Sequence, residues 1–140
     1  MRAARHQLCL YLPQLADGGY DSVEELAELR RVAISGRRAQ VRILLHDPAG
    51  ALRDGNRLIA LAQRLPSVFK IRTPTEAADQ AYASAYLLTD TGGYLFLPEA
   101  TRPRGRAADG DRASQAPLLQ HFEQVWERSA PATVLQPLDL

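Results

Sequence analysis

A chain of 140 residues, 46% hydrophobic and 24% charged, describes one ordinary globular domain that can bury a core without metal or disulfide staples. Its formal charge of +1 gives no global positive field towards nucleic acid, and Cys9, the one cysteine, excludes an intrachain disulfide. That lone cysteine makes a reducing cytosol the expected setting, and no apolar run nears the roughly eighteen residues of a membrane span.

The start, MRAARHQ, reads as a polar lead without a signal-peptide pattern. Gln7–Leu12, closed by Pro13, predicts the first strand, with Cys9 a small buried hydrophobe. Asp17-Gly18-Gly19 signals a turn. Asp21 or Ser22 is placed to cap a helix with Glu24 and Glu25 in its first turn and Arg30 and Arg31 near its end. Val23, Leu26, Ala27 and Leu29 give its apolar face, and Gly36 ends the pattern. Ala39–Leu45 predicts a second strand whose Ile43-Leu44-Leu45 run suits a buried central position. One helix is then expected from about Gly50 to Leu65, stopped by Pro66. Val68–Arg72 alternates and predicts a third strand, with Lys70 and Arg72 on one exposed or edge side.

Ala81–Thr89 and Tyr94–Leu97 are apolar runs joined by Asp90-Thr91-Gly92-Gly93, a hairpin signal. Thr101–Ser114 is polar and predicts a long loop. Ala116–Arg128 predicts a closing helix with Leu118, Leu119, Phe122, Val125 and Trp126 on one stripe. The alternation of strand and helix argues for right-handed crossovers. The expected fold is α/β: a β-α-β-α-β-β-β-α sandwich with a mostly parallel mixed sheet flanked by helices. Residues 1–130 form the single domain and residues 131–140 a C-terminal tail.

This order of elements, the hairpin and the Phe122…Trp126 helix resemble one repeat of the phospholipase D superfamily. That family carries His-x-Lys-x4-Asp on the first hairpin strand, then Gly-Ser and Asn near the second. With Asp90 on the family aspartate, Ala83 stands where the histidine nucleophile would be and Ala85 where the lysine would be. Leu97 and Pro98 replace Gly-Ser, and Ala100 replaces Asn. The resemblance runs from about Leu8 to Ser129 and implies the fold with a degenerate site. A phosphohistidine step needs an imidazole, and phosphoryl charge needs a cation nearby. Alanine supplies neither, so classical phosphodiesterase activity is not expected. The chain also looks like bacterial domains of this kind, some fused to acyltransferase modules, which implies a fused or neighbouring enzyme domain as a partner.

Residue by residue, His46 closes a buried strand at the end where parallel sheets bind ligands. Asp47 follows it, but adjacent residues on an extended chain point apart, and Asp47-Pro48 equally makes a turn and caps a helix. Asp90 is expected to accept from the Gly92 amide within its own turn. On a regular strand Tyr82, Ser84 and Tyr86 share one face, lining a shallow pocket or meeting a second subunit. Trp126 is the further candidate for that contact. Arg102, Arg104, Arg106 and Arg112 are candidate anion-binding residues, diluted by Asp109 and Asp111. Arg30, Arg31, Arg37 and Arg38 make a second basic patch, at a helix end that favours such side chains anyway. His121 reads as a surface or boundary residue, and no histidine shares ligand spacing with a cysteine or carboxylate, so no metal and no cofactor are expected.

Three functional readings follow. The first is a non-catalytic domain for assembly or recognition, working as a homodimer. The second is a module that binds anions, phospholipid headgroups or nucleic acid through the Arg102–Arg112 segment. The third is a hydrolase of non-classical mechanism built on His46, Asp47 or Tyr86.

Overall fold

Two apolar runs and an alternating one make the parallel part of the sheet. In the computed structural model, which describes residues 4–13, 23–102 and 104–135, β1 (Gln7–Leu12) pairs in parallel with β2 (Gln40–Leu45), and β2 with β3 (Phe69–Pro74). The expected turn at Asp17-Gly18-Gly19 and the cap at Asp21 or Ser22 lie outside the described residues. Helix α1 (Val23–Ala33) makes the first crossover, and α2 (Pro48–Arg53) and α3 (Arg57–Arg64) share the second. The single helix expected over Gly50–Leu65 is therefore two. Gly55, at φ +67°, turns the chain through a left-handed conformation, and Asn56 caps α3 by accepting the Leu58 N–H at 2.8 Å. Asp47 caps α2 in the same way, accepting the Gly50 N–H at 3.0 Å.

The rest of the sheet is antiparallel. After α4 (Ala77–Gln80) the chain returns beside β1 as β4 (Ala85–Thr89), and β5 (Tyr94–Leu97) and β6 (Arg106–Ala108) follow as a meander. Helix α5 (Arg112–Glu127) crosses back, and β7 (Ser129–Pro131) pairs with β3 at the opposite edge. The order is β6-β5-β4-β1-β2-β3-β7. Only two of the six neighbouring pairs are parallel, so the mixed sheet is mostly antiparallel, not mostly parallel as expected. The sequence alternates strand with helix only as far as β3; hairpins then take over, and they need no crossover helix.

Two further expectations change. Strand β4 starts at Ala85, not Ala81, because α4 runs to Gln80 and residues 81–84 bridge the two. The segment Thr101–Ser114 is not one long loop, since it holds β6 and the first turn of α5, capped by Asp111 through the Ser114 N–H at 3.1 Å.

Strand alternation gives each sheet face its own core. Leu8, Leu10, Val41 and Ile43 pack with Leu29 and Val32 of α1 and Leu58 and Ile59 of α3. Ala132 and Leu135, by a 3-10 turn at Thr133–Leu135, join this core. Cys9, Tyr11, Leu44, Tyr86 and Leu88 face the other way, under Phe122, Val125 and Trp126 of α5. Among the described residues no helix is long and apolar enough to cross a membrane.

Candidate functional site

The carboxyl ends of β1 and β2 carry a polar aromatic cluster. Tyr11, at the end of β1, is buried, and its hydroxyl lies 3.0 Å from Nε2 of His46 and 3.2 Å from the Asp79 carbonyl. Tyr11 donates to that carbonyl, so it accepts from His46, whose proton then sits on Nε2. Tyr86 of β4 reaches His121 of α5, hydroxyl to Nδ1, at 2.7 Å. The tyrosine rings stack at 5.3 Å between centroids, and Tyr82 lies across His121 at 4.4 Å. The Asp79 carboxylate, buried at the foot of α4, takes two bonds from Arg128 at 2.7 and 2.8 Å.

Electrostatics make this cluster a satisfied wall. Burial lowers the pKa of both imidazoles, opposed in each case by the negative Asp79. Burial pushes the Tyr11 and Tyr86 phenols far above their ordinary range. Arg128 hydrogen bonds hold Asp79 ionised against its own burial. Both histidines are thus neutral, and each has one ring nitrogen engaged by a phenol. Among the described residues, no buried side-chain nitrogen or oxygen lacks a hydrogen-bond partner.

Of the residues singled out in the sequence, His46, Tyr82 and Tyr86 come together here. Asp47 is spent on its helix cap. Ser84, ahead of β4, donates to the Pro98 carbonyl at 2.7 Å. Tyr86 and Trp126 are 1% and 9% exposed between the sheet and α5, so of the expected surface row only Tyr82 and Ser84 reach the outside. Trp126 stacks on Phe122 at 5.7 Å under the guanidinium of Arg72. Asp90 sits at the far end of β4 and does not bond the Gly92 amide. Its carboxylate instead accepts the Arg5 and His6 N–H groups, each at 2.9 Å, while the Gly92 N–H goes to the Thr89 carbonyl.

Asp90 thereby ties down a basic region at the amino ends of β1 and β2. His6 bonds Ser35 through Nδ1 at 2.8 Å and accepts the Gln40 N–H at its carbonyl, which brings the Ser35–Arg38 turn alongside. Arg31 reaches the Ala4 carbonyl at 2.7 Å, and Arg112 reaches the Asp90 carbonyl at 3.2 Å. Arg5, Arg37 and Arg38 are exposed and make no ion pair among the described residues. The nearby carboxylates are occupied: Glu28 by Arg31, Asp90 by two amides, Asp111 by its cap.

The four arginines of the 102–112 segment do not converge. Arg102 pairs with Glu99 at 2.8 Å, beyond the end of β5, and Arg106 lies over Phe96 on the edge strand. Arg104 is exposed between them, and Arg112 turns to the amino end. Sequence reasoning missed Tyr11, Asp79 and Arg128; only the position of Tyr11 in an apolar strand marked it, and then as core. Among the described residues no group of three or more His, Cys, Asp or Glu side chains could hold a metal ion.

The chain belongs to the family described as Domain of unknown function (DUF7931), which matches it over residues 1–138. No curated protein matches the sequence. Its fold is similar to that of TrmBL2, described as an archaeal chromatin protein whose structure shows a novel mode of DNA binding. The TM-score is 0.54 at 15% identity, over 91% of this chain and 45% of the TrmBL2 chain. The chain thus spans less than half the length of TrmBL2, and at that identity the likeness concerns the fold.

Proposed function

We propose that this domain is a non-catalytic module that binds the phosphate backbone of nucleic acid through the amino end of its sheet. The observation that carries this is the group of exposed, ion-pair-free arginines, Arg5, Arg37 and Arg38, held together by the Asp90 and His6 hydrogen bonds. Arginine forks suit phosphate oxygens, and backbone contacts supply affinity without reading sequence. The likeness of fold to TrmBL2, described as showing a novel mode of DNA binding, supports the same reading. The framework we propose is phospholipase-D-like. The element order supports that, and the absence of catalysis rests on Ala83 and Ala85 and on imidazoles each held by a buried phenol.

The test is fluorescence anisotropy with a labelled 20-base-pair duplex, comparing the native chain with Arg37→Glu/Arg38→Glu and with Arg102→Glu/Arg104→Glu. The first variant is expected to lose binding and the second to keep most of it. Equal affinities for all three proteins, or no binding by the native chain, reject the reading.

Homodimeric assembly is a second reading, favoured by the outer side of β6, where the sheet ends on an exposed three-residue strand. Light scattering at low and high salt tests it: a stable doubled mass supports assembly, and a monomer at all concentrations excludes it.

A further inference from the structure

Strand β7 covers only half of the edge that β3 presents. It pairs with Arg72–Pro74; the Ala132 N–H then donates to the Ile71 carbonyl at 3.0 Å, and the chain turns away. On the inner side the Val41 N–H takes the Val68 carbonyl, which sets the parity of the strand: Phe69 and Ile71 aim their backbone groups outward. The Phe69 N–H is taken by the Leu65 carbonyl at 3.0 Å. The Phe69 carbonyl and the Ile71 N–H have no strand opposite them among the described residues.

A groove of about 690 Å³ lies against this half-edge, within the range of ligand clefts. Strand parity divides its lining. Phe69 and Ile71, with Leu135, form an apolar side, while Lys70 and Arg72, with Trp126, form a cationic one. Neither cation has a carboxylate partner among the described residues. Lys70 donates to the Pro66 carbonyl at 2.9 Å, and Arg72 donates to the Trp126 carbonyl at 2.7 Å while lying over the indole.

We infer that this half-edge takes a short extended segment of an acidic partner protein, added to β3 in the lane that β7 leaves. Main-chain bonds to Phe69 and Ile71 would supply affinity, and alternate side chains the register. The charge pattern selects the occupant: carboxylates on the Lys70 and Arg72 side, apolar side chains on the Phe69, Ile71 and Leu135 side.

Trp126 is the only tryptophan, so its fluorescence reports the groove directly. The probe is a capped heptapeptide alternating Glu and Val, with a Lys–Val heptapeptide as control. The expected result is a saturable change in Trp126 emission and slowed hydrogen exchange at the Ile71 amide with the Glu peptide alone. Lys70→Glu should weaken binding by about fivefold, the scale of one exposed charge contact reversed. Arg37→Glu/Arg38→Glu should bind the peptide normally, which separates this site from the nucleic-acid reading. Unchanged exchange at Ile71, or equal affinity in Lys70→Glu, overturns the inference. So does displacement of the peptide by duplex DNA, or a doubled mass that Lys70→Glu abolishes, which would put a second copy in the lane.

Discussion

The Tyr86 hydroxyl lies 2.7 Å from Nδ1 of His121, and this hydrogen bond joins the sheet to α5. Burial is the main cause of the lowered pKa of His121, as it is for His46. A histidine that titrates lower in the folded chain than at the unfolded value of 6.5 binds its proton more readily when unfolded. Stability from these groups is therefore complete above that value and declines as the pH falls through the folded values. Asp79 is held below its ordinary value and stays ionised over this window. We expect the urea midpoint to fall between pH 7.5 and pH 5. In His121→Gln, whose side-chain amide can still hydrogen-bond Tyr86 but takes up no proton, the fall should shrink. Superimposable pH profiles for the two proteins would count against this account.

Asp90 is a structural anion. Partial burial works against its charge, but the amides of Arg5, His6 and Gln7 outweigh it and hold the carboxyl below its ordinary value. Asp90→Ala leaves the Arg5 and His6 amides without their acceptor, and should cost about 1–2 kcal/mol after discounting for solvent. Because the folded pKa is depressed, that contribution is present above the unfolded value and is lost in acid. Chemical denaturation at pH 7 and pH 3 checks both parts; an Asp90→Ala protein as stable as the native chain at pH 7 would reject the role.

The central strands and their caps were legible because local chemistry decides them. Ile43-Leu44-Leu45 reads as buried strand, and Asp47-Pro48 reads as a turn that caps a helix; both stand in the structure. The break between α2 and α3 had a readable signal in Asp54-Gly55-Asn56, set against an apolar stripe that runs through it. Strand β6 had none: Arg106–Ala108 is exposed and unpatterned, and forms because β5 offers it an edge. The candidate sites were harder still. Asp79 meets Arg128 from 49 residues away, and Arg5 joins Arg37 and Arg38 through the ladder between β1 and β2 and the His6–Ser35 bond. Spacing along a chain cannot show such meetings.

Gly105 fixes how closely the edge strand approaches. A Cβ there would fall on the Phe96 carbonyl oxygen, well inside contact distance, with Leu97 close behind. Gly105→Ala must therefore push β6 away from β5, since the obstacle is backbone. A loss of about 1–3 kcal/mol is expected, the range for overpacking. Amide exchange should rise at Tyr94 and Phe96, whose backbone groups face β6, ahead of the central strands. Unchanged protection along β5 would show that the edge yields without cost.

Salt dependence separates phosphate binding by the amino end from non-specific charge. Each phosphate neutralised on duplex DNA contributes about −0.9 to the slope of log K against log salt. With Arg5, Arg37, Arg38 and Arg112 each meeting one phosphate, the native slope should be about −3.5. Arg37→Glu/Arg38→Glu removes two of those contacts and adds repulsion, so the slope should fall by about 2 and affinity by well over tenfold. Arg106 lies against the Phe96 ring on the far edge, so Arg106→Glu should leave the slope within error of native. Should Arg106→Glu instead flatten the slope while the Arg37/Arg38 variant keeps it, the interface lies along β6 and not at the amino end of the sheet.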